Sequence, residues 1–181
     1  AECIKFVQNQ VNFVQISASG SVGATMWANC KDQGFNGTFG ASAGSVSGDI
    51  LKVAGIKLAG GLNAFPWWVD DAPVKKYRDV MAAGGVTSDQ YSSPTMTGIY
   101  SALELFAKAN AKLGDSPTKQ DTLAAMYTLS NETLDGLIAP VTFTKGKLAD
   151  PRPCFWPYTL TNGAFTNPLG GLKYQCYPPQ P

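Results

Sequence analysis

The first half of the chain alternates short apolar runs with stretches of helical periodicity. Strands are predicted at Phe13–Ser17, Thr38–Phe39 and Gly61–Phe65, and helical segments at Val22–Gln33, Asp49–Ala54 and Pro73–Ala83. Alternating strands and helices with short connections predict a parallel sheet covered by helices. Such sheets bind ligands at the carboxyl ends of their strands, which here lie within Ser17–Ser21, Gly40–Ser45 and Ala64–Trp68.

The second half begins with two consecutive helical patterns. In the first, Ile99, Leu103 and Phe106 fall on one face. Ser116 and Pro117 predict the start of the second helix, which extends to about Leu129. Strands follow at Val141–Thr144 and Cys154–Leu160, and Asn162-Gly163 predicts a hairpin turn.

Charge and short motifs exclude several classes of partner. The 181 residues include 14 basic and 13 acidic side chains, and the basic ones form no cluster. Nucleic acid is therefore not expected as a partner, because its binding depends on a basic surface. Gly20–Gly23 lacks the dinucleotide fingerprint and the lysine of a phosphate loop, so no cofactor is expected.

The four cysteines indicate the compartment. Their spacing and the absence of histidine do not fit a zinc site, so two disulfides are the favoured interpretation. Cys3 and Cys30 lie on the helices before and after the first strand, and Cys154 and Cys176 lie on two β segments. These positions predict the pairs 3–30 and 154–176 and an oxidising location. Free thiols in a cytosolic protein are the alternative.

Several segments resemble one family when they are taken in order. The first strand, Val14-Gln15-Ile16, is followed by Gly20, and the next helix ends at Gly34-Phe35. Tyr100-Ser101-Ala102-Leu103 and the segment 136–146, with its Pro140-Val141 and Phe143, are the most specific matches. Together they resemble the C-terminal half of the branched-chain amino-acid-binding proteins, the type I periplasmic substrate-binding proteins of ABC transporters.

The resemblance implies an α/β fold made of two lobes. It predicts a three-layer parallel-sheet lobe, together with helices that belong to a second, mostly absent lobe. Residues 1–86 would form second-lobe structure, 87–138 first-lobe helices, and 139–181 a return to the second lobe. Because no strand separates the two helices, we expect Ile99, Leu103 and Phe106 to be exposed, to be swapped onto another chain or to pack in a way that differs from the family.

The resemblance also predicts where a ligand binds. The family places an aromatic hydroxyl near Ser19 or Gly20 and a carboxylate near Ala43, and this chain has neither. A free amino acid is therefore a doubtful ligand, because its ammonium would be buried without a strong partner. The serine hydroxyls remain to bind a carboxylate, an amide or a hydroxyl, and the aromatic residues Phe65, Trp67 and Trp68 remain to stack on a ring. A packed or hinge-side aromatic pair is the alternative for Trp67-Trp68. The candidate ligand-binding residues are Ser19, Gly20, Ser21, Ser42, Ala43, Gly44, Ser45, Phe65 and Trp67.

A hydrolase is the alternative that one motif raises. Gly40-Ala41-Ser42-Ala43-Gly44 fits the Gly-x-Ser-x-Gly pattern of a serine nucleophile between a strand and a helix. The serine would need a histidine base, and the sequence contains no histidine. The motif is better interpreted as a loop of small residues, and no enzymatic activity or metal site is expected.

The expected function is the capture of a small organic solute, an amino acid or a related carboxylate or amide. Its expected partners are that ligand, the membrane permease of an ABC transporter and the missing N-terminal half of the same protein. A ligand-sensing receptor of the same fold is the alternative. The expected location is periplasmic or extracellular, with a lipid anchor to the cell envelope as an option.

Overall fold

The computed structural model describes residues 2–46, 50, 52–147 and 154–177. The predicted helical segment Asp49–Ala54 lies partly outside these residues. The helices are α1 (Glu2–Gln8), α2 (Gly20–Asp32), α3 (Ala72–Ala83), α4 (Ser88–Tyr91), α5 (Pro94–Asn110) and α6 (Lys119–Met126), with short 3-10 turns at Ala43–Ser45 and Leu134–Gly136. The strands are β1 (Phe13–Ile16), β2 (Thr38–Ala41), β3 (Leu58–Leu62), β4 (Cys154–Thr161), β5 (Ala164–Thr166) and β6 (Gln175–Cys176).

The strands form one mixed sheet in the order β1-β2-β3-β4-β5, and β6 pairs with β4. The pairs β1–β2 and β2–β3 are parallel, as the alternating pattern predicts. Strand β4 is antiparallel to β3 and forms a hairpin with β5. The hairpin turn is the predicted Asn162-Gly163, and both residues have positive φ, 53° and 76°. The sheet is therefore mixed, with the predicted parallel strands on one side and the predicted hairpin on the other.

Strand β3 lies three residues earlier than the sequence predicts. It contains Gly60 and Gly61, which sequence patterns treat as breakers. Here the absence of side chains is required, because a Cβ on Gly60 would lie 2.9 Å from the Tyr158 ring and one on Gly61 2.6 Å from Phe155. The glycines thus let β4 approach β3 with its aromatic side chains over the neighbouring strand.

The predicted second helix of this half and the predicted strand Val141–Thr144 also differ from the structure. Helix α6 begins at Lys119, where Thr118 and Asp121 form a capping box, rather than at Ser116-Pro117. Val141–Thr144 is not a strand, and only a single bridge joins Val141 to Glu132. The segment instead supports a turn, because the Thr142 hydroxyl accepts a hydrogen bond from the backbone N–H of Asn131 at 2.9 Å.

The core lies on one face of the sheet. Trp27 of α2 packs on Phe39 of β2, and Phe35 contacts both Phe39 and Phe6 of α1. On the opposite face Phe13 is 53% exposed, and Gln15 of the same strand is also exposed. Over β1, the described helices α1 and α2 therefore both pack against the face that carries Phe39.

Helix α5 has its amphipathicity reversed. The side that packs against the lobe carries Thr97, Tyr100 and Ser101, all of which are buried. The opposite side carries the apolar stripe of Ile99, Leu103 and Phe106, which are 50%, 63% and 52% exposed. The predicted exposure of this stripe is confirmed. A helix normally turns its apolar side inward, so this stripe has the composition of a contact surface.

Both disulfides join the cysteines that the sequence pairs. Cys3 of α1 is bonded to Cys30 of α2, and Cys154 of β4 is bonded to Cys176 of β6. The Cα–Cα distances are 5.0 Å and 3.9 Å. The first bond holds α1 against the core, and the second holds β6 beside β4.

Removal of the second disulfide is expected to destabilise the protein strongly. In Cys154→Ser/Cys176→Ser the unfolded chain regains the freedom of a loop closed across 22 residues, a loss of about 3 kcal/mol in the free energy of unfolding. Urea denaturation of oxidised wild type and variant measures this difference. Wild type unfolded in reducing buffer is the control, and equal stability of oxidised wild type and variant would contradict the disulfide.

An ion pair between Lys108, which is exposed, and Glu132, which is half-buried, fixes the turn after α6. Glu132 accepts hydrogen bonds from the Lys108 ammonium at 2.7 Å and from the backbone N–H groups of Thr133 and Leu134 at 3.0 Å and 2.7 Å. Lys108 and these N–H groups hold the pKa of Glu132 below its usual value. The turn needs such support because Leu134 and Asp135 both have positive φ, 48° and 57°.

The lowered pKa predicts the sign of a pH effect. Because Glu132 is easier to ionise in the folded than in the unfolded chain, its stabilisation is full above the unfolded pKa and is lost as pH falls through the folded pKa. Glu132→Gln should lower the melting temperature at pH 7 and reduce its decline toward pH 3. Thermal melts across that range measure both effects. If the difference in melting temperature between wild type and variant is the same at every pH, Glu132 does not have this role.

Candidate functional site

The loops that follow β1 and β2 meet at one edge of the sheet. Ile16 and Ala41 are paired at the ends of the two parallel strands, so the loops leave the sheet side by side. The Tyr158 hydroxyl donates to the Ala41 carbonyl at 3.2 Å. Burial raises the pKa of Tyr158, so the hydroxyl keeps its proton and remains a donor. This hydrogen bond from β4 therefore fixes the end of β2, next to the loop that is predicted to bind a ligand.

Ser45 joins the two loops from inside the protein. Its side chain is fully buried, and its hydroxyl donates to the Ala18 carbonyl and accepts from the Ala18 N–H at 3.4 Å. Ser42 lies 2.9 Å away, oxygen to oxygen. Since the single Ser45 proton goes to Ala18, Ser42 is the donor of that pair. Ser45 therefore positions the two loops from inside, and ligand binding by its hydroxyl stays a prediction.

The other predicted serines lie at the entrance of α2. Ser19 precedes the helix with extended backbone (φ −62°, ψ 155°), and its side chain makes no capping bond. Ser19 and Ser21 are exposed and Gly20 is half-buried between them. The first helical hydrogen bond within this turn runs from the Gly23 N–H to the Ser19 carbonyl at 2.8 Å. The backbone N–H groups before Gly23 thus need another acceptor, and ligand binding by these residues remains a prediction.

The aromatic residues after β3 belong to the core. Phe65 is fully buried between Tyr77 and Tyr100, at ring-centre distances of 5.2 Å and 6.3 Å. Trp67 is 5% exposed and packs edge-on against Trp68 and Phe165. Neither ring has a free face for a ligand, so stacking by Phe65 and Trp67 is not supported. Sequence alone cannot separate a packed aromatic cluster from a binding one.

Arg78 of α3 holds the same loop in place. Its guanidinium donates to the carbonyls of Trp67 and Val69 at 2.9 Å and 2.8 Å and to the Asp70 carboxylate at 2.9 Å. Asp70 is thus part of a structural ion pair. The path of residues 67–70 is therefore fixed by Arg78.

Ala43 and Gly44 line a groove of about 370 Å³. Its other walls come from the end of β3 and from the first turns of α5. These residues are Asn63, Ala64, Pro94, Thr95, Gly98, Ile99 and Ala102. Asn63 and Thr95 are exposed polar residues that the sequence analysis did not single out. The three-residue shift of β3 hid Asn63, because the end of the predicted strand lay beyond it.

A second cavity of about 300 Å³ continues the groove. The two share Asn63, Ala64, Gly98 and Ala102. The continuation passes between α5 and the start of β4, where Leu105, Ile138 and Trp156 form apolar walls. We call the two cavities together the α5 groove. No charged side chain lines either part among the described residues.

Several other chemistries find no support in the described part of the chain. No group of histidine, cysteine, aspartate or glutamate there could hold a metal ion. No helix of the described residues is long and apolar enough to cross a bilayer. Ser42 is hydrogen-bonded to Ser45, and the sequence supplies no histidine base for it. What the arrangement offers is a preformed apolar groove with uncharged polar groups at one end.

Replacing Ser45 is expected to separate the two loops. Ser45→Ala leaves the Ala18 carbonyl and the Ser42 hydroxyl without their partner, at a cost of about 1–3 kcal/mol in the free energy of unfolding. Urea denaturation measures the cost, and hydrogen exchange of the Ala18 amide should accelerate. Ser21→Ala, at an exposed serine of the same edge, is the control and should change neither. If both variants behave alike, Ser45 does not hold the loops.

Comparison with known proteins gives a likeness at the level of structure. No family model matches the chain, and no curated protein matches it. A branched chain amino acid ABC transporter from Thermus thermophilus with bound valine has a TM-score of 0.67 at 14% identity, over 92% of this chain and 47% of the other. An ABC transporter solute binding protein from R. palustris in complex with benzoate has a TM-score of 0.61 at 16% identity, over 94% and 46%.

An extracellular ligand-binding receptor from Rhodopseudomonas palustris is also similar, with a TM-score of 0.56 at 20% identity over 92% of this chain and 50% of the other. The chain therefore spans about half the length of the solved structures that it matches. At these identities the likeness shows the fold. The chain has the fold of about half of a type I periplasmic binding protein, as the resemblance in its sequence predicts.

Proposed function

We propose that the chain is part of an extracytoplasmic solute-binding protein that captures a small organic solute for an ABC importer. The observation that carries the proposal is the edge where the loops after β1 and β2 meet, joined by the buried Ser45 and continued by the α5 groove. Ligands of parallel sheets bind at such an edge. The likeness to a valine-bound and a benzoate-bound protein supports the same assignment.

The complementary half of the protein is proposed to cover the apolar stripe of α5. Ile99, Leu103 and Phe106 are each at least half exposed, while the polar side of the helix is buried. A soluble protein rarely leaves such a surface bare. In this proposal residues 87–138 belong to a first lobe and residues 1–86 and 139–181 to a second lobe. The ligand then binds between them, and this chain supplies part of its site.

A receptor that senses the solute is the second candidate function. One of the structural neighbours is an extracellular ligand-binding receptor, so the fold serves more than one role. Both candidate functions require that the protein captures a solute. They differ in the partner protein that recognises the solute-bound form. The disulfides favour an extracytoplasmic location for either one, and attachment to the cell envelope through a lipid remains an option. A hydrolase is disfavoured because Ser42 has no histidine base.

Ligand capture predicts a rise in thermal stability. A solute that binds only the folded chain raises stability by RT ln(1 + [L]/Kd). Thermal melts with branched-chain amino acids, benzoate and small aliphatic amides should identify at least one that raises the melting temperature with increasing concentration. Ala102→Leu, which narrows the α5 groove at an exposed position, should abolish the rise. No rise with any solute would contradict solute binding by this chain.

Exposure of the α5 stripe predicts an unusual mutational response. Leu103→Gln and Phe106→Gln should change the free energy of unfolding by less than about 0.5 kcal/mol, the range usual for surface positions. Leu62→Gln, at a fully buried leucine of β3, is the control and should destabilise strongly. A large destabilisation by the stripe variants would show that the stripe is packed within the chain.

A further inference from the structure

The polar groups of the α5 groove indicate the charge class of its ligand. In the part beside Ala43 and Gly44, the polar side chains are Asn63 and Thr95. Both are exposed, and neither makes a side-chain hydrogen bond within the described residues. Farther along, the Ser101 hydroxyl is already used, since it donates to the Thr97 carbonyl at 2.9 Å. Available hydrogen-bonding side chains are thus concentrated at one end.

The walls offer no partner for a charged group. Among the described lining residues no aspartate or glutamate could pair with an ammonium, and no lysine or arginine could pair with a carboxylate. An ion that leaves water for such a groove loses its hydration without a compensating charge. A neutral polar group loses much less, and Asn63 can replace its hydrogen bonds with water. The groove therefore discriminates against zwitterions and anions.

We propose that the α5 groove binds a neutral, mainly apolar solute that carries an amide, with Asn63 as the specificity-determining residue. A primary amide and the Asn63 side chain each have N–H donors and a carbonyl acceptor, so two complementary hydrogen bonds can form. The Thr95 hydroxyl, on the first turn of α5, is a further donor or acceptor. The apolar part of the solute lies along Ala64, Gly98 and Ala102 toward Trp156. This inference rests on the proposed solute-binding function.

The test compares three probes that share an isopropyl group and differ in charge. Isovaleramide is neutral, isovalerate is an anion and valine is a zwitterion at pH 7. Each is titrated into the ¹⁵N-labelled chain while NMR records its dissociation constant and the side-chain NH₂ signal of Asn63. Isovaleramide should bind at least about tenfold more tightly than the other probes. It gains a hydrogen bond with Asn63, whereas each charged probe loses hydration of an ionised group. It should also shift the Asn63 NH₂ signal.

The variants separate recognition from folding. Asn63→Ala should weaken isovaleramide binding by about fivefold to tenfold, as expected for loss of neutral hydrogen bonds. It should leave binding of isovalerate and valine little changed. Asn12→Ala is the control. It removes another exposed asparagine amide, at the end of β1 opposite to the candidate site, and should bind all three probes like wild type. Melting temperatures of both variants equal to that of wild type show that the fold is intact.

The outcomes distinguish this inference from the function on which it rests. If valine or isovalerate binds as tightly as isovaleramide, or if Asn63→Ala binds isovaleramide normally, the Asn63 inference is wrong and solute binding stands. If no probe and no solute of the thermal panel binds, the Asn63 inference is wrong and so is solute binding by this chain. Preferential binding of isovaleramide that depends on Asn63 supports both.

Discussion

The reversed amphipathicity of α5 is the constraint on which the rest of the structure depends. Its buried side is small and polar, and Tyr100 is the large ring that enters the core beside Phe65. Gly98, on a neighbouring position, lies close to the chain after β3, because a Cβ there would be 3.8 Å from that of Ala64. Such small residues leave the α5 groove open. The same helix thus forms one wall of the candidate site and displays the apolar stripe.

Two sets of polar contacts fix the segments around α5, one made by Ser45 and the other by the Lys108–Glu132 pair. Within the sheet edge, Ser45 satisfies both backbone groups of Ala18 and thereby couples the loops that follow β1 and β2. Behind α5, the Lys108–Glu132 pair supports a turn with positive φ at Leu134 and Asp135. Each anchor is a side chain that completes backbone hydrogen bonding, so loss of either leaves part-buried backbone groups without that partner. The groove between them is preformed, which reduces the entropy cost of binding a ligand.

The sequence predicts local features better than side-chain environments. Alternation of strands and helices, the Asn162-Gly163 turn and the cysteine pairing follow from short-range rules, and the structure agrees. Strand β3 could not be located correctly, because its paired glycines make sense only when the rings of Tyr158 and Phe155 lie over them. The burial of Ser45 and Phe65 likewise depends on residues distant in the chain. Asn63 was missed for the same reason, since its place depends on where β3 ends.

The positions of the ionised side chains around α5 bear on how the groove would select its ligand. Ionised side chains near α5 are paired outside the groove, as in Lys76–Glu104 and Lys108–Glu132, at 3.5 Å and 2.7 Å. Pairs of this kind need solvent or good geometry to offset the loss of hydration, and the described walls of the groove contain no such pair. If a complementary lobe covers the stripe and closes over the groove, water leaves the site and the penalty for an unpaired charge rises. Closure would therefore sharpen discrimination for a neutral solute without any new contact to the ligand.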